Sequence, residues 1–220
     1  MTNEFAPNLS AKLAGKFIVL DGPDGCGKST QVHRLAEYLR KTGGDPLTVR
    51  DPGDTDIGNA IREILLGEKY ARRDIRCELM LFMASRAQLV SEKIRPALSA
   101  GRTVLSDRYV SSSCAYQGAG GLDVAEIIQT ADMATGNLWP DLTVVLDVDS
   151  EQGFERIQTY RSQVALDAME QKGLEFHRKV RDIFLKLPSF YPRPVLICPA
   201  EGTVEQVHRR ILEILCDVHF

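Results

Sequence analysis

The chain reads as a doubly wound α/β protein, a parallel five-stranded sheet with helices on both faces. Two observations predict it. Five short apolar, β-rich runs are separated by stretches of helical periodicity, and the first run passes directly into glycine-rich punctuation and then a helix. Consecutive parallel strands need crossover connections, and crossover helices cover both faces of the sheet they connect.

Taken in order, residues 16–20 (KFIVL) form the first run and STQVHRLAEYLRKTGG the helix behind it. Residues 46–50 (PLTVR) are the second strand, 102–106 (RTVLS) the third, 142–147 (LTVVLD) the fourth and 194–198 (PVLIC) the fifth. The longest helical pattern spans residues 73–100, with Leu79, Leu81, Phe82, Leu89, Val90, Ile94 and Leu98 on its apolar positions and Pro96 near its end. A polar leader, residues 1–15, precedes the domain at 16–220, and a polar stretch at 160–172 lies between two helical patterns as a mobile surface segment. No repeat, Ser/Gly linker or compositional break marks a second domain.

Composition narrows the function classes. At 220 residues and 44% apolar content, one domain buries a sufficient core without staples. Lys plus Arg number 27 against 30 Asp plus Glu, a net charge of −3, which lacks the electrostatic signature of a nucleic-acid or anionic-membrane binder. Neither partner is expected. The five cysteines, Cys26, Cys77, Cys114, Cys198 and Cys216, are scattered without a C-x-x-C pair, as in a reducing compartment. With no signal-peptide core and no membrane-length apolar run, a cytoplasmic protein is expected.

Residues 22–29, GPDGCGKS, match G-x-x-x-x-G-K-[ST] between a strand and a helix, the setting that makes the match specific. Gly22, Gly25 and Gly27 let the backbone wrap around phosphate, and the helix N-terminus adds its positive dipole end. Lys28 supplies a point charge to the β and γ phosphates, and Ser29 a hydroxyl for Mg²⁺. The expected ATP-binding set is Gly22, Pro23, Asp24, Gly25, Cys26, Gly27, Lys28, Ser29 and Thr30. No Asn-Lys pair exists for guanine recognition, and the length suits neither a motor nor a helicase.

The third strand ends in Asp107 and Arg108, at the rim where doubly wound folds bind ligands. Asp107 suits Mg²⁺ or its waters, and the planar Arg108 fork suits two phosphoryl groups. A plain Asp–Arg salt bridge is the structural alternative. Strand two ends similarly in Arg50 and Asp51. The four histidines, His33, His177, His208 and His219, form no metal-like cluster and read as structural or solvated.

The combination DGPDGCGKST, RDPGDTDIGNAIREILL, LFMASRAQLVSEKIRPALSAGRTVLSDRY, SSSCAYQG, VVLDVD and LEFHRKVRDIFLKL resembles bacterial-type thymidylate kinase from about residue 16 to the C-terminus. The resemblance implies the P-loop nucleoside monophosphate kinase fold, a lid around residues 156–172, transfer of the γ-phosphoryl of ATP to dTMP with Mg²⁺, and a homodimer. It also implies substrate roles residue by residue. Phe82 stacks on thymine, Arg86 hydrogen-bonds the base from the same helical face, Ser113 and Gln117 approach the base, and Tyr116 lies by the sugar. Asp24 takes the 3′-hydroxyl, Arg62 and Arg108 hold the dTMP phosphate, and Asp51 lies near the acceptor. Without the resemblance, Phe82 reads as core and Ser113, Tyr116 and Gln117 as a surface helix turn.

Two departures stand out. The family's lid carries D-R-x-E, where this chain has Asp167-Ala168-Met169-Glu170, so Arg161, Lys172 or Arg156 would have to bring the missing positive charge to the phosphates; Arg161 joins Lys28, Asp107 and Arg108 in the expected catalytic set. In DPGDT, Asp51 and Asp54 stand where Glu and Gly are usual. A weakly catalytic nucleotide binder and a kinase for another nucleoside monophosphate remain open. A phosphate monoester is a dianion above its second pKa of about 6, so the acceptor is nucleophilic without a general base.

Overall fold

The structure, a computed structural model, describes residues 6–70, 72–160 and 173–220. Strands β1 (Phe17–Asp21), β2 (Leu47–Arg50), β3 (Val104–Asp107), β4 (Leu142–Asp147) and β5 (Val195–Pro199) form one all-parallel sheet in the order β2-β3-β1-β4-β5. Each predicted run overlaps its strand with ends within two residues, and β1, β3 and β5 each extend one residue past the predicted end, as strand ends commonly vary. The chain leaves β1 for one edge and, after β3, crosses past β1 to the other, so the strand order reverses in the middle of the sheet. Ligands of such sheets bind outside the strands' carboxyl ends at that reversal.

The described helices are α1 (Ala6–Lys12), α2 (Lys28–Lys41), α3 (Asp56–Leu66), α4 (Ile75–Leu89), α5 (Arg95–Ser99), α6 (Val110–Ala119), α7 (Val124–Thr135), α8 (Ser150–Tyr160), α9 (Leu174–Lys186) and α10 (Val204–Asp217). Alternation along the strands sends Ile18, Leu20, Leu105, Leu142, Val144 and Leu146 toward α1, α2 and α10, and Phe17, Val19, Val104, Val145 and Val195 toward α4, α6, α7 and α9. Burial on both faces is why the strands read as unbroken apolar runs.

Two expectations are corrected. The leader is not merely polar: α1 lies within it, and Leu9 and Leu13, each at most 1% exposed, pack under the sheet with Leu39 and Leu215. Two isolated leucines among polar residues carry too little periodicity to announce a helix. The long 73–100 pattern is broken as well: a π-helical turn (Val90–Ile94) separates α4 from α5. Pro96 has no N–H to continue the ladder, and the hydrogen bond from Arg95 N–H reaches Val90 C=O instead.

Candidate active site

β1 ends at Asp21, and residues 22–27 turn the chain into α2. Gly25, at φ +76°, lies so close to α8 that a Cβ there would collide with the Gly153 carbonyl, and a Cβ on Gly153 would sit 2.7 Å from the Asp24 carbonyl. Neither position has room for a side chain. The Lys28 ammonium, largely buried, donates to the carbonyls of Gly22 (3.0 Å) and Pro23 (2.8 Å). Cys26 packs in the apolar cluster with Leu146 and Cys198 while its Sγ accepts from the same ammonium at 3.5 Å, and burial raises its thiol pKa against the pull of Lys28 and Arg108.

The strand ends bring the rest of the cradle together, because Asp107 pairs in register with both Leu20 and Arg50. Ser29 Oγ donates to Asp107 Oδ2 at 2.5 Å, while Asp107 Oδ1 is buried without a hydrogen-bond partner. A hydroxyl beside a half-satisfied carboxylate is a hard-oxygen pair of the kind Mg²⁺ accepts, so these residues fit that ion. Among the described residues no cluster of three or more His, Cys, Asp or Glu forms an all-protein metal cage.

Arg108 sits in the left-handed region at φ 71°, which costs a non-glycine residue of order 1–3 kcal/mol and recurs at functional sites. That backbone aims its guanidinium at Asp24, to which it donates, and at Ser112 Oγ (3.0 Å), over the Tyr116 ring at 5.3 Å. Behind it the fully buried Asp21 accepts from Gly22 N–H (2.9 Å), Ser111 Oγ (2.5 Å) and Ser112 Oγ (2.7 Å). Burial opposes charge on Asp24, but Arg108 and then Lys28 outweigh it and bring its pKa down to about 2.

The far end is built from helix faces. Phe82 and Arg86, one turn apart on α4, and Ser113 and Gln117, one turn apart on α6, converge on the same space. Arg86 is 1% exposed: Nε donates to Asp51 Oδ2 (2.5 Å), and Nη2 to the Tyr109 carbonyl and Ser113 Oγ (both 3.1 Å). Burial raises the Asp51 carboxyl against the opposing pull of Arg86. Arg62, on α3 behind a Thr55 cap, donates from Nη1 to the Pro52 carbonyl at 2.9 Å. The Asp54 carboxylate accepts from the Arg50 N–H at 2.7 Å, which commits the unexpected charge of DPGDT to closing its own corner.

One cleft of about 1140 Å³ joins both ends. It is lined by Asp24, Gly25, Gly27, Lys28, Ser29, Thr30, Asp51, Arg62, Phe82, Arg86, Asp107, Arg108, Ser113, Tyr116 and Gln117, so nearly every expected site residue is brought together. Of the expected set, Gly22, Pro23 and Cys26 lie in the loop but do not line the cleft, and Arg161 lies outside the described residues, as do Lys172 and Ala168. Arg156 of α8 does line it, exposed beside Glu155 and Thr159. The sequence reading missed Asp21 and Ser112, which anchor Arg108, and Ser85, which accepts from Gly53 N–H at 3.2 Å. An Asp at the last position of a strand entering the loop and the serine run at 111–113 were the available signals.

A thymidylate kinase family model matches residues 20–211. The chain belongs to the thymidylate kinase family. Curated relatives agree: it is 41% identical over 202 residues to thymidylate kinase of Caldanaerobacter subterraneus subsp. tengcongensis, covering 91% of this chain and 95% of that one. It is 38% identical over 206 residues to thymidylate kinase of Geobacillus sp. (strain WCH70), covering 93% and 98%, and 41% identical over 203 residues to that of Oenococcus oeni, covering 91% and 95%. The parallel five-stranded sheet with its P-loop after β1 is the architecture expected of a thymidylate kinase.

Proposed function

We propose that the protein transfers the γ-phosphoryl group of ATP to dTMP, with Mg²⁺, giving ADP and dTDP. The observation that carries the reading is the single cleft running from the P-loop and the Asp107–Arg108 strand end to the Phe82–Arg86 and Ser113–Gln117 faces. It is a site for two nucleotides meeting phosphate to phosphate.

In this reading a dTMP phosphate oxygen attacks Pγ of ATP as the bond from Pγ to the bridging β,γ oxygen breaks, and ADP leaves with the electron pair. The acceptor enters as a dianion, so the chain's task is to hold two polyanions in line and neutralise them. Lys28 and the loop N–H groups hold the donor phosphates, Arg108 and Arg62 hold the acceptor phosphate, and Asp24 keeps Arg108 aimed while accepting from the 3′-hydroxyl. Phe82 stacks on the base, Arg86, Ser113 and Gln117 meet its polar edge, and Tyr116 lies by the sugar, where bulk disfavours a 2′-hydroxyl. Ser29 and Asp107 would hold Mg²⁺, which would supply charge neutralisation for the donor phosphates. Arg156 lines the cleft and is placed to contribute the positive charge that Ala168 lacks. The homodimer is proposed from the family resemblance and the cytoplasmic location from the scattered cysteines; among the described residues no helix is long and apolar enough to cross a membrane.

The test is ADP formation from ATP and Mg²⁺ with dTMP, dUMP, dCMP, dGMP, UMP or no acceptor. Rapid turnover with dTMP above every other acceptor is expected. Turnover no higher with dTMP than with no acceptor refutes the reading.

A further inference from the structure

Gln117 is 1% exposed, and its amide is asymmetric in its surroundings: Nε2 donates to Glu78 Oε1 at 2.9 Å, while Oε1 is buried without a partner. Glu78, on α4 and 4% exposed, is gripped through its other oxygen by Arg73 Nη2 at 2.9 Å. Arg73 is in turn tied to the Tyr70 carbonyl through Nη1 at 3.0 Å. Both side chains of the ion pair are nearly inaccessible, at 8% and 5%. The orientation of the Gln117 amide therefore follows from its neighbour, because a carboxylate only accepts and the amide can meet it only with its NH₂.

Turning the amide over would set its carbonyl against the Glu78 carboxylate in a buried place, two acceptors facing each other with no proton between them. The chain Arg73, Glu78, Gln117 thus fixes a polarity and delivers it to the cleft as an acceptor, Gln117 Oε1. Across the same space Arg86 offers only donors. An acceptor beside a donor complements N3–H and O4 of thymine. Cytosine presents the reverse, an acceptor at N3 and an amino donor at C4.

We propose that Glu78, which need not touch substrate, is a specificity-determining positioning residue: held by Arg73, it locks Gln117 to accept from N3–H and so rejects the 4-amino pyrimidines. The proposal rests on the dTMP kinase reading and names which part of the chain sets its base preference.

The probe is 5-methyl-dCMP, which has the outline of dTMP with the N3/C4 pattern reversed. The measurement is kcat/KM for dTMP, 5-methyl-dCMP and dUMP with the full-length protein and its Glu78→Gln variant. A glutamine at 78 can donate as well as accept and frees Gln117 to turn. The dTMP to 5-methyl-dCMP preference is expected to fall by about tenfold or more, with the dTMP to dUMP preference, which depends on packing of the 5-methyl group, unchanged. An unchanged dTMP to 5-methyl-dCMP ratio, or an equal loss on all three substrates, overturns the proposal, the latter marking Glu78 as merely structural. Wild-type protein inactive on dTMP would instead defeat the functional reading. If the variant does not fold, a structure of the wild-type protein with dTMP decides: Gln117 bonded to N3 while still on Glu78 supports the lock, and Gln117 more than about 4 Å from N3 refutes it.

Discussion

The two ends of the cleft are built on opposite plans. At the phosphate end the backbone does most of the shaping: a glycine loop, a left-handed Arg108 and strand ends in register. Its facing ion pair stays partly wet, with Arg108 at 21% and Asp24 at 14% side-chain exposure, over the buried Lys28, Asp107 and Asp21. At the base end the groups are dry and already paired, with Arg86 locked on Asp51 and Ser113, and Gln117 on Glu78. A polyanion can be gripped by adjustable charges in a polar setting, whereas telling one base from another needs donors and acceptors that cannot reorient. Two carboxylates show the contrast in miniature: charges around Asp24 overcome its desolvation and lower its pKa, while burial of Asp51 overcomes the pull of Arg86 and raises it.

Breaking the dry end is expected to cost the most stability. Arg86→Ala leaves Asp51 buried and unpaired, and should lower the unfolding free energy by about 3–5 kcal/mol, read by urea denaturation of the ligand-free protein. A loss below about 1 kcal/mol would mean the pair is not the keystone described. Lys28→Ala should do the reverse, leaving stability within about 1 kcal/mol while lowering kcat with dTMP by about 10²–10³, since the ammonium's work is on developing phosphate charge. The smallest effect concerns Asp24. Its folded pKa lies below the ordinary 3.8, so its contribution is full above that value and is lost as pH falls toward about 2. The change is of order 2 kcal/mol. Asp24→Asn should flatten stability between pH 4 and pH 2 relative to wild type; an identical slope in both proteins would show that Arg108 and Lys28 do not hold this carboxylate.

How much of this could be read in advance follows the same division. The P-loop and the Asp107–Arg108 strand end were legible because backbone-built sites write themselves locally, in glycines and strand-end residues. The base end was legible only through family resemblance: taken alone, Phe82 reads as core and Gln117 as helix surface. Asp51 was expected near the acceptor, yet its pairing with Arg86 joins β2's end to α4 across a sequence gap that no local pattern spans. Helix α1 was missed because its meaning lies in partners, Leu39 and Leu215, that only the folded chain supplies. The π-helical turn was signalled by Pro96, but a proline announces a fault without saying how the helix will absorb it.

The contact between Gly25 and Gly153 makes the nucleotide motif discontinuous. The eight residues that define it in a pattern search end at Ser29, yet the loop's shape depends equally on a glycine on α8, far down the chain. Anyone transplanting this loop to another scaffold, or diversifying α8 in a library, inherits that dependence: the motif is spelled with one remote letter, and a change there edits the cradle without altering any residue in it.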